Sequence, residues 1–423
     1  MQTRRLMSAL TLTLGTAITG QVQAQATLEQ RVLRLEAENR QQAAALKRQS
    51  STIEQQQQQL EGTPTRIKRL EETLERKREG AAGLGGNWFE NIEIAGLIEV
   101  EAVYADPFEG DIESDIVLAT FELGIAAQVA DWVAADASLL YEEDDTDLEV
   151  DIAQIRIANL DVTPVFFSAG QFYLPFGAYE TNLVSDPLTL EIGETRETAA
   201  QLGFVYQGFG GSVYGFNGDH QVDGKRQIGS WGANLGFAQE LDRVAWTLGV
   251  GYINDLGDSD SLQDRVSDNR NSRYVELVEG EDAEAGSFSI DPIDRTGGWT
   301  TNIGLVVGDF NLIGEYLSAT DNFDPDSLSY KAKGAKPAAW NIELGYRFEV
   351  FGKESVAAVA YQGSSEAVNL ELPEERWLIG WSIGIFDGTA VSFEYAYDTD
   401  YSPANGGTGN HANAFVAQLA VEF

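Results

Sequence analysis

One arginine stands alone among carboxylates. Across residues 174–198, Arg196 is the single basic residue, and Glu180, Asp186, Glu191, Glu194 and Glu197 share the stretch with it. A lone guanidinium in that company is either an ion-paired strut or a planar, bidentate donor to an anionic ligand. Pro175, Phe176 and Gly177 end a strand-like run, and residues 178–197 show no regular period. Structureless loops of this length are usually functional or disordered. Leu183, Val184, Leu188, Leu190 and Ile192 require the segment to pack against something. Folded into an interior lumen it would be a constriction; outside, it would pack on neighbouring loops.

A second set of charges recurs on alternate positions of apolar runs. Glu93, Glu99, Glu101, Glu122, Asp136, Glu315, Glu343 and Glu394 fall opposite the apolar face, as do the cations Arg156 and Arg347. Rings of charged side chains set selectivity in pores, and otherwise they are solvated walls. Much other chemistry is excluded. The chain has no Cys and 2 His, so thiolate zinc sites and cysteine nucleophiles are absent. His220 and His411 lie in expected loops with no serine motif beside them, so no enzyme activity and no cofactor are expected. The acidic runs 142–151, 255–268 and 276–294 offer clustered carboxylates for structural Ca²⁺, without EF-hand spacing; the alternative is solvated surface bridged to lipopolysaccharide. A formal net charge of −39 argues against a nucleic-acid partner.

The elements that position these residues divide the chain near residue 80. Residues 1–80 carry 13 Lys/Arg against 9 Asp/Glu, and residues 81–423 carry 15 against 58. Residues 1–24 read as a signal peptide: Arg4 and Arg5, a short apolar stretch, then small residues for cleavage. Residues 25–79 carry heptads with Leu28, Val32, Leu35, Asn39, Leu46, Ile53 and Leu60 on the seam, a coiled coil with Asn39 restricting its register; the alternative is a lone, partly disordered Gln-rich helix that tethers the barrel. Residues 80–90 are a Gly-rich linker.

From residue 91 the period becomes two. Ile92, Ile94, Ile98, Val100, Ala102 and Tyr104 share one face, and Val117, Ala119, Phe121, Leu123, Ile125 and Val129 are expected to share another. Sixteen such segments start near residues 91, 115, 132, 149, 165, 198, 211, 231, 243, 298, 309, 338, 353, 375, 388 and 412. Short and long connections alternate between them. That alternation predicts an all-β, 16-stranded antiparallel transmembrane β-barrel over residues 91–423, with an N-terminal periplasmic α-helical coiled coil. Tyr104, Tyr141, Tyr252, Trp377 and Tyr397 at strand ends fit interface girdles, and the chain ends on Phe423 in an alternating strand.

The run Ala169-Gly170-Gln171-Phe172-Tyr173-Leu174-Pro175-Phe176-Gly177 is followed by Glu180-Thr181-Asn182, Ser185-Asp186-Pro187-Leu188-Thr189-Leu190-Glu191 and Gly193-Glu194-Thr195-Arg196-Glu197. With Tyr141-Glu142-Glu143-Asp144-Asp145 and Gly215-Phe216-Asn217-Gly218-Asp219, this resembles the LbtU family of siderophore porins, named for the legiobactin receptor. The resemblance implies a plugless barrel that takes up a ferric siderophore across the bacterial outer membrane. It supplies no ligand-holding residues, and an acidic lumen sits awkwardly with anionic cargo. The rival functions are a general cation-selective diffusion porin and an envelope-tethering protein.

The expected partners are the outer membrane with its lipopolysaccharide, a ferric siderophore, and further copies of the chain. A trimer is favoured by analogy with other 16-stranded porins. Deleting residues 28–75 is expected to release monomeric barrels on native gels; unchanged assembly would remove the coiled coil as the oligomerising element.

Overall fold

The computed structural model describes residues 92–143, 146–218, 227–241, 243–279 and 294–423. The signal peptide, the heptad seam from Leu28 to Leu60, the linker, His220 and part of the last acidic run lie outside the described residues.

The strands are β1 (Ile92–Asp106), β2 (Glu113–Ala130), β3 (Val133–Glu142), β4 (Thr146–Ala158), β5 (Val165–Tyr173), β6 (Arg196–Tyr206), β7 (Phe209–Phe216), β8 (Ser230–Leu241), β9 (Val244–Ile253), β10 (Gly298–Val307), β11 (Phe310–Ala319), β14 (Ala338–Val350), β15 (Lys353–Ser365), β16 (Glu375–Phe386), β17 (Thr389–Thr399) and β18 (His411–Glu422). A small hairpin, β12 (Ser329–Tyr330) with β13 (Lys333–Gly334), stands apart from them. The sixteen long strands form one closed antiparallel barrel in which each pairs with its neighbours in the chain and β18 pairs with β1. Every strand starts within three residues of the position expected from alternation. The seven short turns and the described chain ends share one rim, and the eight long connections share the other.

Alternation explains the two faces. Ile94, Ile98, Val100 and Tyr104 are exposed on the outside, whereas Leu97, Glu99 and Glu101 are buried inside. Apolar rows outside and polar rows inside suit a sheet bounded by lipid, where closure leaves no unpaired edge. Aromatic pairs mark both rims. Trp231–Tyr252, Trp299–Tyr316 and Tyr361–Trp377 pack at tilted angles toward the long-loop rim, with centroids 5.4, 5.2 and 4.7 Å apart. Phe209–Phe237, Phe237–Trp246 and Phe310–Tyr346 do so toward the short-turn rim, at 4.5, 5.0 and 4.7 Å.

Strict alternation fails early on β2, and the pairing with β3 slips again between Gln128 and Ala130. Val117 was expected on the face of Phe121, but it lies opposite Glu101 and is buried inside. The pairing with β1 slips between Thr120 and Leu118, so Ala119 is an extra residue. Such a β-bulge inverts the side-chain parity beyond it. The long connections are also more ordered than expected. Residues 175–197 contain a short helix, α1 (Leu188–Gly193), and residues 254–297 contain a 20-residue helix, α2 (Asp260–Glu279), where an acidic loop was anticipated. A second apolar core lies inside the long-loop end of the barrel, built from Phe176, Leu188, Ile192, Leu256, Leu262 and Leu317.

Closure is completed by two backbone bonds between Gly96 and Phe423, N–H to O at 2.9 and 3.0 Å. The Phe423 ring covers Gly96 so closely that a Cβ there would lie 2.4 Å from it. Gly96→Val is therefore expected to displace the terminal ring and destabilise the seam by about 1–3 kcal/mol. The readout is a lower urea midpoint for the compact band on semi-native gels, and an unchanged midpoint would exclude the ring from closure.

Candidate functional site

The loop between β5 and β6 is dictated first by Pro175, which has no N–H to continue the ladder. The neck closes behind it: Leu174 N–H donates to the Thr195 carbonyl at 2.8 Å. The chain between turns inward and runs along the barrel wall. At β9 its Phe176 carbonyl lies where a Cβ on Gly251 would be, at 1.9 Å, so this close approach requires glycine. Over β16 the Leu183 side chain takes the equivalent place above Gly380.

Three wall carboxylates receive the loop. Glu315 on β11 accepts the Ala178 and Tyr179 N–H groups, both at 2.8 Å, and the Thr189 and Thr300 hydroxyls at 3.2 and 3.1 Å. Glu343 on β14 accepts the Thr181 hydroxyl at 2.6 Å and the Asn182 N–H and Nδ2 groups at 2.7 and 2.6 Å. Glu394 on β17 accepts Val184 N–H at 2.6 Å and Ser185 N–H at 3.0 Å. The Gln362 side chain of β15 then accepts Leu188 N–H at 3.1 Å. Hydrogen bonds to charged groups contribute about 1.5–3 kcal/mol each. α1 follows, wholly buried. The loop thus lies inside the barrel rather than on the neighbouring external loops.

Arg196 occupies the exit. Its guanidinium donates to Glu149 at 2.5 Å and to Asp151 at 3.0 Å, both on β4, and its N–H donates to Asp260 of α2 at 3.2 Å. It is placed as a strut. Asp151 is fully buried and also accepts the Tyr173 hydroxyl at 2.8 Å. Glu197 continues into the β6 ladder opposite Phe172.

Three further acids of the loop are Glu180, Asp186 and Glu194. Burial, with Glu315 and Glu343 alongside, pushes the Glu180 carboxyl up to about 7. Asp186 is fully buried and neither of its carboxylate oxygens has a hydrogen-bond partner. Burial, then Glu194, Glu191, Glu142 and Glu394, hold it well above the ordinary aspartate range. Glu194 is raised in the same direction by burial, then by Asp260, Asp151, Glu191 and Glu142.

The other inward charges divide by depth. Glu99 and Glu101 are buried, and Glu101 accepts from Gln418 at 3.0 Å. Glu122 lies opposite Leu97 and Leu140 on the inward face. Nearer the short turns, Asp136 pairs with Arg156 at 3.2 Å, while Glu93 and Arg347 are exposed to solvent. The structure does not bring Glu315, Glu343 and Glu394 to open water as solvated wall: the loop's own N–H groups cover them.

Sequence reasoning missed Gln362, Thr181 and Asn182 as anchors, since nothing local marks a hydrogen-bond partner more than a hundred residues away. It also missed the buried Arg376, held by Asp398 through two bonds of 2.8 Å. Alternation was signal enough there, because Trp377 beside it faces outward. Among the described residues, no three His, Asp or Glu side chains converge as a metal-binding group.

No protein-family model matches the chain. It is similar to a UPF0422 protein of Legionella pneumophila strain Lens, 29% identical over 363 residues, 78% of this chain and 66% of that one. It is also similar to a UPF0422 protein of Coxiella burnetii, 27% identical over 321 residues, 74% of this chain and 65% of that one. The chain thus spans just under two thirds of these relatives' length. Among solved structures, the outer membrane channel DcaP of Acinetobacter baumannii has a TM-score of 0.52 at 13% identity, covering 78% of this chain and 97% of that one. An anion-selective porin from Comamonas acidovorans has a TM-score of 0.51 at 12% identity, covering 78% and 99%. These likenesses show that the chain has the porin fold.

Because Arg196 joins the loop's exit to β4, Arg196→Ala leaves Asp151 buried without its guanidinium. The expected cost is about 2–4 kcal/mol, read as a lower thermal midpoint and noisier single-channel current. Arg196→Lys should recover part of this, since one charge remains without the fork. Unchanged stability and current in both variants would exclude the strut.

Proposed function

We propose that the protein is an outer-membrane porin with a cation-preferring lumen, narrowed by residues 174–195. The observation that carries this reading is the pairing of inward charges. Arg156, Arg196 and Arg376 are each bonded to carboxylates, so their positive charge is compensated locally. Glu93, Glu99, Glu101 and Glu122 add acid to the same interior. Fixed carboxylates in a low-dielectric channel raise the local cation concentration and oppose anions. The bilayer location follows from the exterior, apolar between two aromatic rims.

A second reading is the uptake of a ferric siderophore. One observation favours it: residues 169–197, the most distinctive stretch of the resemblance to siderophore porins, include the residues that build the loop inside the barrel. Blockage of the channel by a ferric siderophore would support it.

In a KCl gradient across a planar bilayer, the reversal potential is expected to show cation preference. Anion preference would overturn the proposal, and absence of any conductance would overturn the porin reading itself.

A further inference from the structure

The loop holds two acids that its anchoring does not use. The backbone on either side of Asp186 is fixed, by Ser185 N–H on Glu394 and by Leu188 N–H on Gln362. Its side chain cannot leave the interior without breaking those bonds. It is fully buried, with both oxygens unpartnered. The charges that act on it most strongly are carboxylates: Glu194 just beyond α1, Glu191 on α1, Glu142 on β3 and Glu394 on β17. The nearby cations are committed elsewhere, Arg196 to Glu149 and Asp151, and Arg376 to Asp398. Glu180, six residues earlier and half-buried, lies close to Gly304 of β10 and within the influence of Glu315 of β11 and Glu343 of β14.

A buried carboxylate without donors needs a counter-charge. Among the described residues no cluster is arranged to hold a metal ion there, and Arg196 and Arg376 are bonded to other carboxylates. A proton remains.

We propose that Asp186 and Glu180 form a proton-operated latch: as neutral carboxyls they let the loop dock on the wall, and their ionisation drives it off. The direction follows from linkage. Groups held above their ordinary range stabilise docking fully at pH values below that range, and this stability is lost as pH rises through the docked value, about 7 for Glu180. The docked loop therefore belongs to mildly acid conditions, and loosening belongs to neutral and alkaline ones. Glu315, Glu343 and Glu394 act oppositely to an ordinary acid latch, because their charged forms hold the N–H groups and also repel a second charge beside them.

The chain has no cysteine, so Ser185→Cys gives a single thiol on the docked loop. Its alkylation rate is compared, in folded detergent-solubilised barrels, between the otherwise unaltered chain and one also carrying D186N and E180Q. The ratio of the two rates cancels the ionisation of the thiol. It is expected to rise by more than about tenfold between pH 5 and pH 8. A flat ratio overturns the latch.

Should the D186N/E180Q chain fail to give the compact heat-modifiable band, amide exchange of residues 178–185 in the unaltered chain replaces the comparison. After correction for intrinsic rates, protection falling over the same pH range supports the latch, and constant protection overturns it. The latch rests on the porin reading only in its consequence for current. A non-conducting barrel with pH-dependent labelling fails that reading alone, and a conducting barrel with flat labelling fails the latch alone.

Discussion

Every backbone N–H and C=O in this molecule has to find a partner without help from the surrounding lipid. That constraint closes the sheet. The β1–β18 ladder runs from Leu97↔Glu422 to Asp106↔Asn413, and the last residue of the chain completes it at Gly96. Once closed, the sheet has an inside and an outside, and alternation assigns each side chain to one of them. The acids are driven inward because outside they would meet hydrocarbon, where an ionised side chain is expensive.

The same demand returns inside the barrel, where the loop after β5 leaves the ladder and carries its own unpaired N–H groups into a crowded interior. The wall answers with carboxylates rather than with another strand. Each of Glu315, Glu343 and Glu394 takes consecutive or near-consecutive donors, so the loop follows the curve of the wall from β9 to β17. Carboxylates suit this because each offers about four acceptor sites. Inward-facing carboxylates of the wall thus fasten the loop, and they are spent on its N–H groups rather than left to the lumen.

Docking concentrates negative charge where there is little water to screen it. Three carboxylates are compensated by N–H groups, Asp151 by Arg196, and Asp398 by Arg376. Asp186 and Glu180 are left with other acids for neighbours. Packing supplies the opposing term: α1 and Phe176 bury apolar area against Leu256, Leu262 and Leu317. The loop thus balances apolar burial and anchoring bonds against crowded charge, which makes its position sensitive to protonation.

By itself, the sequence determined the barrel. A period of two repeated in sixteen segments, with short and long links in turn, fixes strand number, faces and rims, because side-chain direction in a strand depends only on position. It placed Glu343 and Arg156 opposite the apolar faces but passed over Arg376 and its partner Asp398. It could not reveal the bulge at Ala119, since one unpaired residue leaves the apolar pattern nearly intact. It left Arg196 open between strut and ligand donor, and the loop open between interior and exterior. Only the tertiary structure decided these. Glu149 and Asp151 reach Arg196 across the intervening strand β5, and Glu394 meets Ser185 from 209 residues away. Contacts of that separation are set by how the sheet closes and curves, a property of all sixteen strands together that no local pattern carries.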